Sequence, residues 1–170
     1  EFWQTIGRRF DDVPVSQAKA TVALRITTHP KGGEAYRLSI RKGGIAITAG
    51  GNEGVRHALR TLAQWARSRS GQVVLQEVEI EDWPSLRWRG VHWFVGPKAL
   101  DLHTKVIDRV LGPVKLNQAV LQCERTDWKA TPEIKTGLTM SRADLVKLFG
   151  KYRTAAIEPT PLIQSFGHME

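Results

Sequence analysis

Cysteine is nearly absent from this 170-residue sequence: Cys123 is the only one, so no internal disulfide can form. A single thiol is compatible with the cytoplasm but does not assign a compartment. No apolar run approaches the ~20 residues of a membrane span, and the start of the chain does not resemble a secretory signal. We therefore expect no membrane partner, and the compartment is unknown.

Motifs for phosphate, metal and covalent chemistry are also missing. Neither G-x-G-x-x-G nor G-x-x-x-x-G-K-[ST] occurs, so the sequence does not support nucleotide binding. No G-x-S-x-G nucleophile elbow is present. The five histidines are scattered, without a second His four residues away or a neighbouring Cys. We expect no metal site and no cofactor.

The charge balance is basic, with a formal net charge of +8. Such an excess invites a nucleic-acid interpretation. The basic residues are spread over both halves of the chain, however, and their clusters are as short as Arg8-Arg9 and Arg41-Lys42. This distribution favours a solvated, mildly basic surface over a groove that follows phosphates. We expect no nucleic-acid partner.

The first half of the chain predicts a small α+β layer. Val22, Leu24 and Ile26 alternate with more polar residues, which predicts a half-buried strand. Asn52 is the expected N-cap of a helix that ends near Gly71. The full set of predicted elements, on an antiparallel or mixed sheet, is strands 20–27, 34–40 and 45–49, the helix, and strand 72–80.

After Trp83 strands and helices alternate, which predicts a parallel α/β arrangement. The predicted elements are strand 88–94, helix 101–111, strand 115–123, helix 142–153 and strand 156–163. An eight-stranded barrel needs roughly 200 residues, more than this half supplies. The second half is then either a small three-stranded sandwich or the start of a larger fold in a longer protein, and we favour the latter.

Polar residues stand in or at the ends of the predicted strands of this half. Arg89 and His92 accompany the first strand and Glu124 follows the second. In parallel α/β domains strand ends are where ligands bind, so we expect a ligand near these side chains. Cys123, at the end of a buried strand, is expected to be an inert core thiol rather than a nucleophile.

One stretch resembles a known family. Residues 80–90 read I-x-D-W-P-x-x-x-W-R-G and follow the helical segment 54–64, Gly-Val-Arg-His-Ala-Leu-Arg-Thr-Leu-Ala-Gln. Together with Lys115-Leu116-Asn117 and the segment from Pro161 to His168, in this order and spacing, they resemble the family 20 glycoside hydrolases, the β-N-acetylhexosaminidases.

The resemblance implies a fold and a domain division. Its fold class is α/β: a small α+β accessory domain, with an antiparallel or mixed sheet plus helix, precedes a (β/α)8 TIM barrel. Residues 1–83 would form the accessory domain. Residues 84–170 would form the first β-α-β-α-β units of an incomplete barrel, truncated after the third strand.

The resemblance also implies roles for three residues. Arg89 would bind sugar hydroxyls from the first barrel strand, since a guanidinium offers paired donors; the alternative is a salt-bridged arginine at the domain seam. His168 would lie near the catalytic pair, or else on the surface. Where the family has H-x-T-D-D-x-x-W, Glu124 either takes over a carboxylate role or pairs with Arg125.

The mechanism implied is substrate-assisted hydrolysis of terminal N-acetylhexosaminides, in which the acetamido oxygen of the sugar attacks the anomeric carbon. The family's catalytic Asp-Glu pair follows the fourth barrel strand, so we expect the 170-residue chain to be inactive alone. The alternative function is a non-catalytic carbohydrate-binding or scaffold module. An open barrel edge favours self-association of the isolated chain or a partly disordered end beyond Thr154.

Overall fold

The computed structural model describes residues 21–70 and 72–164 of the chain. The chain divides into two compact units, Glu1–Ser85 and Leu86–Glu170. The boundary predicted from sequence follows Trp83. The assignment of the two parts as an accessory domain and a partial barrel stays a prediction.

The first unit contains a mixed four-stranded sheet, as the sequence predicts. Its described elements are β1 (Thr21–Ile26), β2 (Tyr36–Arg41), β3 (Gly44–Ala49), α1 (Asn52–Trp65), β4 (Arg67–Arg69), β5 (Gln72–Val74) and β6 (Val78–Asp82). The spatial order is β1-β3-β2-β6. Strand β1 runs parallel to β3, and the other neighbours are antiparallel.

Helix α1 packs on the two central strands of this sheet. Its buried face includes Ala58 and Leu62, which contact Leu38 and Ile47 in one hydrophobic core. The helix begins one residue earlier than predicted: Gly51, not Asn52, is the N-cap residue, and its backbone is extended. The reason is a contact between backbones, because the amide of Gly54 donates to the carbonyl of Gly33 at 3.1 Å.

Two predictions for this unit are wrong. The helix ends at Trp65 rather than near Gly71, because the chain then turns into the short antiparallel hairpin of β4 and β5. The single strand predicted over 72–80 is therefore two strands: Gln72–Val74 belongs to the hairpin, and Val78–Asp82 joins the main sheet beside β2.

Strand β1 is present as predicted but is not half-buried. Val22, Leu24 and Ile26 are 40%, 51% and 49% exposed. The physical reason is its position: β1 is an edge strand, and α1 packs mainly on β2 and β3. An alternating pattern identifies the face of a strand that is apolar, but it does not show whether a partner covers that face.

The second unit contains three parallel strands connected by helices. Its described elements are β7 (Gly90–Phe94), α2 (Ala99–Val106) continued by one π-helical turn (Ile107–Leu111), β8 (Gln118–Gln122), a 3-10 turn (Pro132–Ile134), α3 (Arg142–Thr154) and β9 (Glu158–Leu162). The order is β7-β8-β9, and both pairings are parallel. The predicted parallel alternation is confirmed, whereas an eight-stranded barrel remains a prediction.

The helices pack on one face of the parallel sheet. Leu121 from β8 and Leu148 from α3 are fully buried in this core. On the opposite face, Phe94 is 68% exposed, and His92 on the same strand and Thr160 on β9 are exposed as well. Within residues 86–164 the sheet is therefore covered on one side only.

Both helix-to-strand connections of this unit contain a left-handed residue. Lys115 precedes β8 with φ 61°, and Ala156 precedes β9 with φ 58°. At the start of α3, the Ser141 hydroxyl accepts a hydrogen bond from the Asp144 amide at 3.0 Å, which is an N-cap contact. None of the described helices is both long enough and apolar enough to cross a membrane.

Candidate functional site

A cavity of about 1250 Å³ opens at the carboxyl ends of the three parallel strands. Its lining is mostly apolar, which is typical of small-molecule sites. The described residues that line it are Phe94, Val95, Gln122, Glu124, Arg125, Trp128, Lys129, Ala130, Thr131, Ile134, Arg142, Ile163 and Gln164. In parallel α/β folds this edge of the sheet is where ligands bind.

The outer wall of the cavity is the connection between β8 and α3. This connection is closed at its base, because the Met140 amide donates to the Arg125 carbonyl at 2.8 Å and the Asp127 amide donates to the Met140 carbonyl at 2.9 Å. Met140 is buried in the core beneath. These contacts fix the connection, which carries Trp128 and Lys129, over the strand ends.

Gln122 brings an unsatisfied polar group to the cavity. The residue ends β8 and is only 8% exposed, and its Oε1 has no hydrogen-bond partner among the described residues. Buried side-chain oxygens normally have a partner, and leaving one unpaired costs about 1–3 kcal/mol. A ligand that donates an O–H or N–H group at this point would recover that cost.

Glu124 lies where the sequence places it, at the carboxyl end of β8. Its Oε1 accepts a hydrogen bond from the Gln164 amide at 2.9 Å, which joins the segments that follow β8 and β9. Within the described residues it forms no ion pair with Arg125, so that predicted alternative is wrong. Whether Glu124 also contacts a sugar remains a prediction.

Three cations line the same cavity as this carboxylate. Arg125, Lys129 and Arg142 line the cavity and are exposed. None of them has an acidic partner within residues 21–70 and 72–164, whereas the nearby Asp127 is paired with Lys135 at 2.6 Å. The described lining of the cavity therefore carries more positive than negative charge.

Trp128 is held by a hydrogen bond from its Nε1 to the Cys123 carbonyl at 3.0 Å. The Cys123 thiol itself is fully buried and lies 3.1 Å from the Leu121 carbonyl. Burial raises the pKa of this thiol, and the charge of Glu124 raises it further. A buried thiol with a raised pKa is a poor nucleophile, in agreement with the core role predicted for it.

Arg89 does not belong to this cavity, contrary to the expectation from sequence. The residue precedes β7, and parallel strands run in one direction, so it lies at their amino ends, opposite the cavity. Its Nε donates to the Lys115 carbonyl at 2.9 Å and its Nη1 donates to the Leu86 carbonyl at 2.7 Å. The guanidinium thus bonds the backbone of two connecting segments, and the predicted grouping of Arg89 with Glu124 at one edge is wrong.

The remaining predicted residues are placed differently. His92 lies within β7 on the uncovered face of the sheet, where its ring stacks on Phe94 with centroids 5.9 Å apart. His168 lies outside the described residues. Sequence reasoning missed Gln122 and Arg142 as lining residues. For Gln122 a signal exists, since it is a polar residue that closes an apolar strand.

A metal centre has no basis in the part of the chain that the structure describes. Within residues 21–70 and 72–164, no three His, Cys, Asp or Glu side chains come close enough together to hold a metal ion. The polar groups of the described cavity lining are instead two amides, one carboxylate, one hydroxyl, one indole and three cations. Such groups suit a polar organic ligand.

Comparison with known proteins identifies the family that this chain resembles. Residues 3–83 match the model for glycosyl hydrolase family 20, domain 2. A curated protein, the β-hexosaminidase subunit beta of Entamoeba histolytica, is 40% identical over 60 residues, which cover 34% of this chain and 11% of that protein.

Solved structures of family 20 enzymes share the fold. The N-acetyl-β-hexosaminidase of Streptomyces plicatus superposes with a TM-score of 0.78 at 21% identity, covering 98% of this chain and 40% of that one. The β-N-acetylhexosaminidase of Streptomyces coelicolor A3(2) gives 0.76 at 20% identity, covering 94% and 38%. The chitobiase of Flavobacterium johnsoniae gives 0.69 at 22% identity, covering 84% and 24%.

The chain therefore spans between 11% and 40% of the length of these relatives. The structural likeness extends over both units, and the match to the family model covers the first. Residues 3–83 match domain 2 of glycosyl hydrolase family 20, and the chain resembles part of the β-N-acetylhexosaminidases of that family.

Proposed function

We propose that this chain is part of a longer glycoside hydrolase that removes terminal N-acetylhexosamine residues by substrate-assisted catalysis. The observation that carries the proposal is the cavity at the carboxyl ends of β7, β8 and β9, in a chain whose first unit matches a domain of a glycoside hydrolase family. A related S. plicatus β-hexosaminidase has been solved with its product GlcNAc, which supports an N-acetylhexosaminide as the ligand.

The parallel unit is, on this proposal, the first part of a (β/α)8 barrel. Its helices cover one face of the sheet, while Phe94 and Thr160 on the other face are exposed. A barrel has this arrangement, because its helices lie outside and the inner face of each strand faces the other strands. Further strands would then cover the exposed face and complete the wall of the cavity.

The positions of individual cavity residues suggest how each would contact the sugar. Gln122 Oε1, unpaired and buried, accepts a hydrogen bond from a sugar hydroxyl or from the acetamido N–H. Trp128 supplies an apolar surface held in a fixed orientation. Glu124 binds the sugar or orients the segment that contains Gln164. We keep His168 as a proposed neighbour of the reaction centre, on the resemblance alone.

The catalytic carboxylates are not among the described lining residues, where Glu124 is the single acid. Substrate-assisted hydrolysis requires one acid to orient the acetamido group and a second to protonate the leaving oxygen, with a pKa matched to the working pH. We therefore propose that the catalytic Asp-Glu pair lies beyond Glu170 and that the 170-residue chain has no turnover alone.

The test compares the 170-residue chain with a protein extended along the same reading frame beyond Glu170. Both are assayed for release of nitrophenol from 4-nitrophenyl N-acetyl-β-glucosaminide. We expect turnover only from the extended protein, and we expect it to disappear when its Asp-Glu pair is replaced by Asn-Gln. Turnover by the 170-residue chain, or none by the extended protein, would contradict the proposal.

A non-catalytic carbohydrate-binding module is the second candidate function. Catalysis requires two acids, but the described lining of the apolar cavity has one carboxylate, that of Glu124. This carboxylate already accepts a hydrogen bond from a backbone amide. A cavity of this kind favours binding without catalysis. An extended protein that binds N-acetylglucosamine but releases no nitrophenol would support it.

Self-association of the isolated chain is a further part of the proposal. Strands β7 and β9 are both edges of the described three-stranded sheet, and unpaired strand edges promote association. Size-exclusion chromatography with light scattering over a range of concentrations is the test. A chain that stays monomeric throughout would overturn this expectation.

A further inference from the structure

We propose that the saccharide bound in this cavity is anionic and carries a carboxylate or a sulfate group that is recognised by Arg125, Lys129 and Arg142. The inference rests on the proposed function, since it names the substrate class of the same site. It is carried by the charge and the chemistry of the described cavity lining.

The first observation is that the three cations have no acidic partner. Among residues 21–70 and 72–164, no ion pair involves Arg125, Lys129 or Arg142, whereas other cations of the same unit are paired. The single acid of the described lining, Glu124, accepts from the Gln164 amide. One carboxylate cannot neutralise three cations, so the cavity is left with an excess of positive charge.

The second observation is that the cations come from separate elements. Arg125 and Lys129 belong to the connection after β8, and Arg142 is the first residue of α3. The first turn of a helix adds partial positive charge, because its amides lack intrahelical acceptors. The acid in that turn, Asp144, does not offset Arg142, since it pairs with Lys147 at 3.0 Å.

The third observation is the apolar surrounding of these charges. Phe94, Trp128 and Ile134 line the same cavity. A charge pair beside apolar walls is screened less than one in open water, so each cation binds an anion more strongly there than it would on a flat surface. A position beside apolar side chains in a cavity therefore favours anion binding over a purely solvated role for these cations.

The neutral part of the ligand has its own partner. Gln122 is buried with an unpaired oxygen, and an amide oxygen accepts from a hydroxyl or an N–H but gains nothing from an anion. The cavity therefore offers an acceptor for the sugar ring and cations for an acidic substituent. This combination favours an acidic amino sugar over both a neutral sugar and a free inorganic anion.

The test uses four probes on the 170-residue chain, with affinity measured by isothermal titration calorimetry. N-acetylglucosamine is the neutral probe, N-acetylglucosamine 6-sulfate carries a sulfate, N-acetylmuramic acid carries a carboxylate, and inorganic sulfate is the anion without a sugar. We expect at least one acidic sugar to bind about tenfold tighter than the neutral one at low salt. The difference should shrink at high salt, because added ions screen exposed charges.

Matched substitutions locate the effect. Arg125→Gln, Lys129→Gln and Arg142→Gln should each reduce the preference for the acidic sugar about two- to fivefold, as expected for single exposed cations. Lys105→Gln removes an exposed cation of the same unit on α2 and should leave the preference unchanged. Circular dichroism confirms that each variant is folded.

The outcomes separate this inference from the proposed function. If the neutral sugar binds as tightly as both acidic sugars, the inference is wrong and the proposed function stands. If inorganic sulfate binds as tightly as the sulfated sugar, the site holds an adventitious ion only and the inference is also wrong. If no sugar binds, the inference is wrong, and the proposed function is then decided by the nitrophenol assay of the extended protein. The relative affinities of the two acidic sugars distinguish carboxylate from sulfate as the group recognised.

Discussion

Arg89 and Asn117 are joined by two hydrogen bonds at the amino ends of β7 and β8. The Arg89 amide donates to the Asn117 Oδ1 at 2.9 Å, and the Asn117 amide donates to the Arg89 carbonyl at 2.9 Å. The Asn117 Nδ2 then donates to the Arg87 carbonyl at 2.8 Å. One side chain thus aligns the first two parallel strands before their regular pairing begins at Gly90 and Gln118.

Asn117→Ala should destabilise the second unit. The substitution removes an acceptor from the Arg89 amide and a donor from the Arg87 carbonyl, and we expect a loss of about 1–3 kcal/mol in the free energy of unfolding. Urea unfolding followed by circular dichroism measures it. Asn52→Ala, at an exposed position in the first unit, should change stability by less than about 0.5 kcal/mol. Equal effects of the two substitutions would contradict this role for Asn117.

Arg89→Lys should also lower stability, by about 1–2 kcal/mol, since an ammonium cannot reproduce the geometry in which the guanidinium donates to both Lys115 and Leu86. The affinity of the folded chain for N-acetylglucosamine should not change, because Arg89 lies at the opposite end of the strands. Arg109→Lys, an exposed exchange on the π-helical turn, is the control. A loss of sugar affinity without a loss of stability would restore Arg89 as a sugar-binding residue.

The second unit should become less stable in mild acid because of His103. This side chain is 2% exposed, and its Nδ1 lies 3.0 Å from the Tyr152 hydroxyl. Burial lowers the pKa of His103 and raises the pKa of Tyr152. The folded state keeps the imidazole neutral, whereas an unfolded His binds a proton below about pH 6.5. Stability is therefore present above that pH and falls as the pH drops towards the lowered pKa.

Urea unfolding at about pH 7.5 and about pH 5.5 measures this effect. We expect a lower free energy of unfolding in acid, and a smaller difference in His103→Gln, which has no proton to bind at that position. An NMR titration of the intact chain gives a second measurement, in which the midpoint of the His103 ring signals should lie below the ordinary value of about 6.5. A His103 that titrates at its ordinary pKa would overturn the explanation.

Cys123 should react slowly in the folded protein. Because the thiol is fully buried and its pKa is raised by burial, we expect labelling by Ellman's reagent to be at least about 100-fold slower than in urea. Cys123 is the only cysteine, so the signal needs no assignment. Rapid labelling under native conditions would show that the core of the second unit opens readily.

Most of the secondary structure could be predicted because its signals are local. The apolar spacing in α1 and α3 follows the helical period, and the alternation of strands with helices after Trp83 restricts the second half to a parallel order. The extent of α1 was wrong because the sequence around Gly71 contains no signal that distinguishes the end of a helix from a short hairpin. Burial of β1 was wrong because covering a strand depends on what packs against it.

The candidate site was harder to predict than the fold. Glu124 could be placed, since it directly follows an apolar strand. Arg89 was misplaced because its sugar-binding role came from the family resemblance and not from its position. It is the second residue of the predicted strand 88–94 and directly precedes β7, which begins at Gly90, so both place it at the amino end of the strand. Lys129 belongs to a connection without periodicity, and its position over the strand ends depends on the pairing of Thr126 with Met140, a contact that no local pattern indicates.

The left-handed residues Lys115 and Ala156 have a consequence for how the second unit tolerates change. A side chain in this backbone region costs on the order of 1 kcal/mol that glycine avoids. Glycine would, however, give the unfolded chain more conformations to lose, a penalty of similar size. The two effects nearly cancel, so replacing Lys115 or Ala156 by glycine should change the free energy of unfolding little. Both connections can therefore be short and well defined without glycine at the left-handed position.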